Sequence, residues 1–177
     1  MRHRAARVIV LAPILFVAQA QGVVGRLAPV SEFTELPAAI AHDLTNRGCL
    51  IPQVKGISRR QNVIRGEFQK RGQRDWAVLC LKGETSTILV YTEASGSKPV
   101  QLAPMDETIA PDKDGYYRVL QVAGEEFIRR HADASASDMD RPPAILDHDG
   151  IDDGIFEKGS SVHYFYRGKW LKLAGSD

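Results

Sequence analysis

The sequence predicts an α+β, β-rich domain: mostly antiparallel short strands and hairpins, with one N-terminal helix and a second short helix. Three observations carry this. Trp76 to Leu81 is an unbroken apolar run, followed by a Gly83-Glu84 turn and the β-branched stretch Thr85 to Tyr91. A second hairpin closes the chain, with Ser161 to Tyr166 and Lys169 to Leu173 around Arg167-Gly168. Strong helical punctuation occurs early, where Thr34 and Pro37 precede an apolar face and Asn46-Arg47-Gly48 ends it. Strands in hairpins after a lone helix argue against a doubly wound parallel sheet.

Of the 177 residues, 44% are hydrophobic and 25% charged, which bounds the chain to a globular protein with a core. The net charge is +1. Arg2, Arg4 and Arg7 precede the apolar stretch Val8 to Ala18, and Ala18-Gln19-Ala20 places small residues at a cleavage site. This reads as a signal peptide over 1–20, or an uncleaved anchor, ahead of a single domain over 21–177. The apolar stretch is too short for a stable membrane span. With the leader removed, no strong field of either sign remains, so nucleic acid is not an expected partner. Export to a periplasmic or extracellular space favours a Cys49–Cys80 disulfide over two buried thiols, which stay the alternative.

Taken in order, Gln21 to Glu32 lacks periodicity and reads as a loose lead-in. In the first helix Leu36, Ala39, Ile40 and Leu44 share a face, while His42 and Asp43 are expected in solvent. Cys49 would pin that helix to the sheet. Val54 to Gln61 is basic and reads as an exposed loop or edge; Asn62 to Phe68 reads as a strand. Trp76 to Leu81 fits a strand buried on both faces. Val100 to Leu102 is a short strand, Pro104 to Gly115 an acidic surface loop and Tyr116 to Val122 a strand. Glu125 to Ala132 has helical spacing, and the Ala-, Ser- and acid-rich residues 133–143 form a flexible loop.

Two acidic stretches hold the chemistry. The later is Asp147-His148-Asp149-Gly150-Ile151-Asp152-Asp153, read as a tight turn feeding Ile155-Phe156. The earlier runs from Gly66-Glu67-Phe68 to Asp75-Trp76-Ala77-Val78-Leu79. Both resemble the FG-GAP or VCBS repeat, which builds blades of integrin-like β-propellers from a Gly-Asp-Phe start, an acidic loop and an Asp entering an apolar strand. The resemblance implies a partial propeller-like arrangement, with self-association to complete it, or a compact β-domain that borrows the loop. It also implies calcium, which takes six to eight oxygens on a loop bent by glycine. In the earlier copy Arg71 stands where a ligand belongs, so no metal is expected there. Arg71 or Arg74 would instead pair with Asp75 or Glu67. In the later copy Ile145 occupies the first ligand position, leaving Asp147, Asp149 and Asp153, with the Ile151 carbonyl, as a partial calcium site. The competing reading is an Asp-Gly turn whose carboxylates accept backbone N–H groups.

No nucleophile elbow, zinc-helix, phosphate-loop or dinucleotide motif occurs. His163 reads as a packed strand histidine, and Tyr164 and Tyr166 share a face opposite Phe165. The leading expectation is an exported, non-enzymatic binding or envelope structural domain with a protein or small-molecule partner. The alternatives are a metal-dependent hydrolase using the Asp147–Asp153 cluster, or an inhibitor of a secreted enzyme.

Overall fold

The computed structural model describes residues 26–54, 57–93, 98–106, 118–132, 138–155 and 158–176. The signal peptide and residues 133–137 of the expected flexible loop lie outside these.

The order is β1 (Arg26–Pro29), a 3-10 turn (Val30–Glu32), α1 (Ala38–Arg47), β2 (Leu50–Gln53), β3 (Val63–Gly66), β4 (Asp75–Lys82), β5 (Thr85–Tyr91), β6 (Val100–Asp106), β7 (Arg118–Ala123), α2 (Glu125–His131), β8 (Gly150–Ile155), β9 (Gly159–Tyr166) and β10 (Lys169–Ala174). Two antiparallel sheets result. The first runs β1-β2-β4-β5-β6, with β3 also paired to β4; the second runs β10-β9-β8-β7. The β-rich α+β class is what the sequence predicts, as a compact β-domain in four layers.

Alternation of side chains builds those layers. Trp76, Val78 and Cys80 of β4 and Leu89 and Tyr91 of β5 face α1, where they meet Ile40 and Leu44. Ala77, Leu79, Ile88 and Val90 face the other way, onto Leu120 and Ile151 of the second sheet. The far side of that sheet packs Val162, Tyr164, Leu171 and Leu173 on Ile128 of α2. The order is therefore α1, first sheet, second sheet, α2. Strand β4 is covered on both faces, as its unbroken apolar run requires.

Helix α1 ends on Gly48, whose φ of 72° is the left-handed cap that glycine adopts without strain. Its start differs from expectation: Pro37 takes the N-cap position and no side chain caps it, so Thr34 has no such role. Asp43 is not simply solvated, because the Tyr91 hydroxyl donates to it at 2.7 Å and Arg47 pairs with it at 2.6 Å. Burial pushes the Tyr91 hydroxyl up; burial is also the largest single influence on the Asp43 carboxyl and raises it, but the hydrogen bonds from Arg47 and Tyr91 together outweigh it and hold that carboxyl below its usual range. Cys49, just past the helix, is disulfide-bonded to Cys80 of β4 with Cα atoms 5.1 Å apart. The bond fastens the α1 layer to the sheet.

Three further expectations need correction. The lead-in contains β1, which pairs with β2 from Arg26–Gln53 to Pro29–Leu50. Strand β6 continues through Pro104 to Asp106. In the stretch read as an exposed basic loop, Val54 and Gln61 are buried. Gln61 N–H donates to Oε1 of Gln53, Gln53 Nε2 donates to the Gln61 carbonyl, and Val54 N–H donates to Oε1 of Gln61. Side-chain amides here replace a strand's backbone partners. Asn62 does the same between sheets. Fully buried, with φ 68°, it donates to the carbonyls of Pro52 and Arg118 and accepts from Leu120 N–H. Its own carbonyl accepts from Leu79 N–H.

Candidate functional site

The two acidic stretches meet in space. Glu67 N–H donates to Asp149 Oδ2 and Asp149 N–H donates to the Glu67 carbonyl, both at 3.0 Å. Gly66 permits the approach, since a Cβ there would lie 2.6 Å from the Phe68 ring and 3.1 Å from Asp149 Oδ2. The earlier turn is tied internally by backbone. Asp75, fully buried, accepts the N–H groups of Gln69 and Glu93 at 3.0 Å and the side-chain amide of Gln73 at 2.8 Å. Glu67 accepts Gly72 N–H at 2.8 Å. The expected pairing of Arg71 or Arg74 with Asp75 or Glu67 is therefore corrected: backbone amides hold the carboxylates that the arginines were to neutralise.

In the later stretch only Asp147 to Asp149 form the turn. Ile151, Asp152 and Asp153 are already strand, paired on both sides within β8. This separates the three candidate calcium ligands by function. Asp149 holds the earlier turn. Asp147 stays largely exposed and lies 3.4 Å from the Tyr164 hydroxyl, which also accepts Asp147 N–H at 3.2 Å. Asp153 points between the sheets, where Arg118 donates to both its oxygens at 2.7 Å and His163 Nε2 lies at 3.3 Å. Burial alone would raise the Asp153 carboxyl. Hydrogen bonds from Arg118 and His163 outweigh burial and hold it below the usual carboxylate range. Among the described residues no group of three or more His, Cys, Asp or Glu is placed to hold a metal.

His148 sits under the turn with its side chain only 6% exposed. Its ring stacks on Tyr164 at 4.3 Å and 7°, with Nδ1 3.0 Å from the Asp149 carbonyl and Nε2 2.8 Å from that of Phe165. It thus braces the turn against β9, with both ring nitrogens beside backbone carbonyls. Tyr164 is fully buried, so the tyrosine face of β9 belongs to the α2 layer at that position.

Above this brace lies a groove of about 580 Å³ between the earlier turn and the β9–β10 hairpin. Ile145, 75% exposed, forms its apolar lip beside Phe165 and Tyr166. Lys70, Arg71 and Arg167 supply the charge, against Asp147 alone. No ion pair engages these three cations among the described residues; Arg167 lies over the Tyr166 ring at 5.1 Å. The groove joins both acidic stretches, but through their basic and apolar neighbours. Ile145 was legible only as a missing ligand, and Arg118 had no local signal at all.

Comparison with known proteins finds no family model, no curated protein and no solved structure that matches this chain.

Proposed function

We propose that the chain is an exported, non-enzymatic binding module that holds an acidic, apolar-tipped segment of a partner protein in the groove at Ile145. The observation that carries this is one exposed isoleucine ringed by Lys70, Arg71 and Arg167, cations that form no ion pair among the described residues. Apolar anchors with charge around them are the usual anatomy of a recognition patch. Opposite charge on the partner would steer association and set register. Export is supported by the leader-like N-terminus and by the disulfide, which persists in oxidising compartments. The hydrolytic alternative has less to work with at the turn, because Asp149 and His148 are bonded to backbone groups.

The test uses the mature protein as bait in the exported fraction, beside an Ile145→Asp variant and an Arg71→Glu/Arg167→Glu variant. All three sites are on the surface, so melting temperatures should match within a degree or two. The reading expects a partner with an acidic segment, retained by the wild type and lost by both variants. Equal recovery by all baits sinks it. A bait that recovers only its own chain replaces it with self-association.

A further inference from the structure

A second cavity opens between the two sheets, away from the groove. Its volume is about 520 Å³, within the roughly 300–1,000 Å³ typical of small-molecule sites. Its floor is the Arg118–Asp153–His163 cluster. Register explains why these three converge. Asp153 pairs with Leu120 and Ser161 across β8, so residues two apart on the neighbouring strands share its face. That puts Arg118, Asp153, Ser161 and His163 together, on the side turned to the first sheet.

Arg118 is saturated. Besides the two bonds to Asp153, it donates to Ser86 Oγ at 2.7 Å and to the Ala103 carbonyl at 2.8 Å. It and Asp153 neutralise each other at the cavity floor. His163 is different. Nε2 faces Asp153, whereas Nδ1 has no partner among the described residues and is not a sealed, unsatisfied atom. Above it stand Ser161, Lys158 and Lys172. Lys172 reaches Asp138 at 3.2 Å, but both side chains are well exposed, so solvent screens that pair and it can be exchanged. The remaining wall is apolar: Ala103, Pro104 and Met105 from β6, Ile155 from β8, and Met139.

We infer that this inter-sheet cleft binds a small organic anion with an apolar body. The anionic head sits among His163, Ser161 and Lys172, and the body lies against Met105, Ile155 and Ala103. Charge decides the sign of the ligand. The lining holds Arg118, Lys158 and Lys172 against Asp153 alone, and Asp153 already has its counter-ion. A cation would find no free carboxylate. Partial exclusion of water strengthens attraction to the head relative to a surface site, and the apolar wall discriminates in favour of ligands that carry hydrocarbon. The site shares no residue with the Ile145 groove, so it stands or falls independently of the function proposed above.

Calorimetric titration of the mature protein tests this with four probes: hexanoate, hexyl phosphate, acetate and hexylammonium. Binding is expected for hexanoate, hexyl phosphate or both, and whichever binds tighter identifies the head as carboxylate or phosphate. Acetate should bind at least tenfold more weakly, and hexylammonium not at all. Lys172→Met should weaken the preferred probe about tenfold, and the groove variant Arg167→Glu should leave it unchanged. Amide chemical-shift mapping in the wild type gives a readout independent of any variant: shifts should centre on Ser161, His163 and Lys172. The inference is overturned if no probe binds below about 10 mM, if hexylammonium binds as well as hexanoate, or if the shifts centre elsewhere.

Discussion

The two acidic stretches look alike in sequence and do different work in the fold. In the earlier one, Asp75 and Glu67 gather backbone N–H groups and fix a turn. In the later one, Asp149 does the same across to Glu67, but Asp153 leaves the turn and neutralises a buried arginine between two sheets. A carboxylate in a turn satisfies donors that cannot otherwise reach an acceptor. A carboxylate on a strand holds whatever the neighbouring strand presents. Spacing between acids does not separate the two cases; the point at which the strand begins does.

The two roles separate most clearly at Asp153. Asp153→Ala leaves Arg118 charged and buried without its partner, which typically costs about 3–5 kcal/mol. Chemical denaturation should show a loss of this size, and a loss below about 1 kcal/mol would show that Arg118 escapes to water. The pH dependence follows the same pair. Because the folded Asp153 carboxyl lies below its usual value, its contribution is present above about pH 4 and disappears as pH falls through the folded value. Melting curves between neutral and acid pH should therefore converge for wild type and variant.

Asp75→Ala should come next, at about 2–3 kcal/mol, since it orphans the N–H groups of Gln69 and Glu93 beside a buried strand. The loss should be nearly independent of salt, unlike that at a surface ion pair.

Asp152 gives an effect of opposite sign. It is buried beside Asp153 in sequence but on the other face of β8, and its Oδ1 has no hydrogen-bond partner. Burial, reinforced by the charge of Asp153 and opposed by a Ser160 hydrogen bond, raises its carboxyl. A raised folded value means that ionisation costs stability. The cost sets in above the ordinary carboxylate value near 4 and is complete once pH exceeds the folded value. Asp152→Asn should therefore stabilise the protein by about 1 kcal/mol at neutral pH, with no gain near pH 3. Destabilisation at neutral pH would contradict this assignment.

The smallest effect expected is that of calcium. With Asp149 and Asp153 already bonded, millimolar calcium should leave the melting temperature within about a degree of that in chelator. A larger rise would mean that the turn rearranges to bring the three carboxylates together.

Strands β4 and β5 and the end of α1 were plain in the sequence because their signals are local. Trp76 to Leu81 is apolar on both faces, Thr85 to Tyr91 is β-branched, and Gly48 ends α1. Strand β6 was hidden by its proline and by an irregularity in register between Ser86 and Ile88. It forms an edge of the first sheet, where a proline removes no ladder bond that the sheet needs. Strand β1 is too short to show alternation. The acidic turn was recognisable as a turn, but the β8 strand inside it was not, because Asp152 and Asp153 read as solvent-facing. Arg118 lies 35 residues before its partner, and only strand register brings them together. The exposed lip at Ile145 carries no sequence sign of exposure.

Asn62 has a consequence for cooperativity. Its carbonyl holds the amide proton of Leu79 in the first sheet, and its side chain holds that of Leu120 in the second. The contacts to β7 span 56 and 58 residues of chain, so they close late by any loop-entropy argument. One left-handed asparagine thus ties two hydrogen-bond networks to each other. In hydrogen exchange, the amides of Leu79 and Leu120 should share one opening free energy near that of global unfolding, and Asn62→Ala should split them into two.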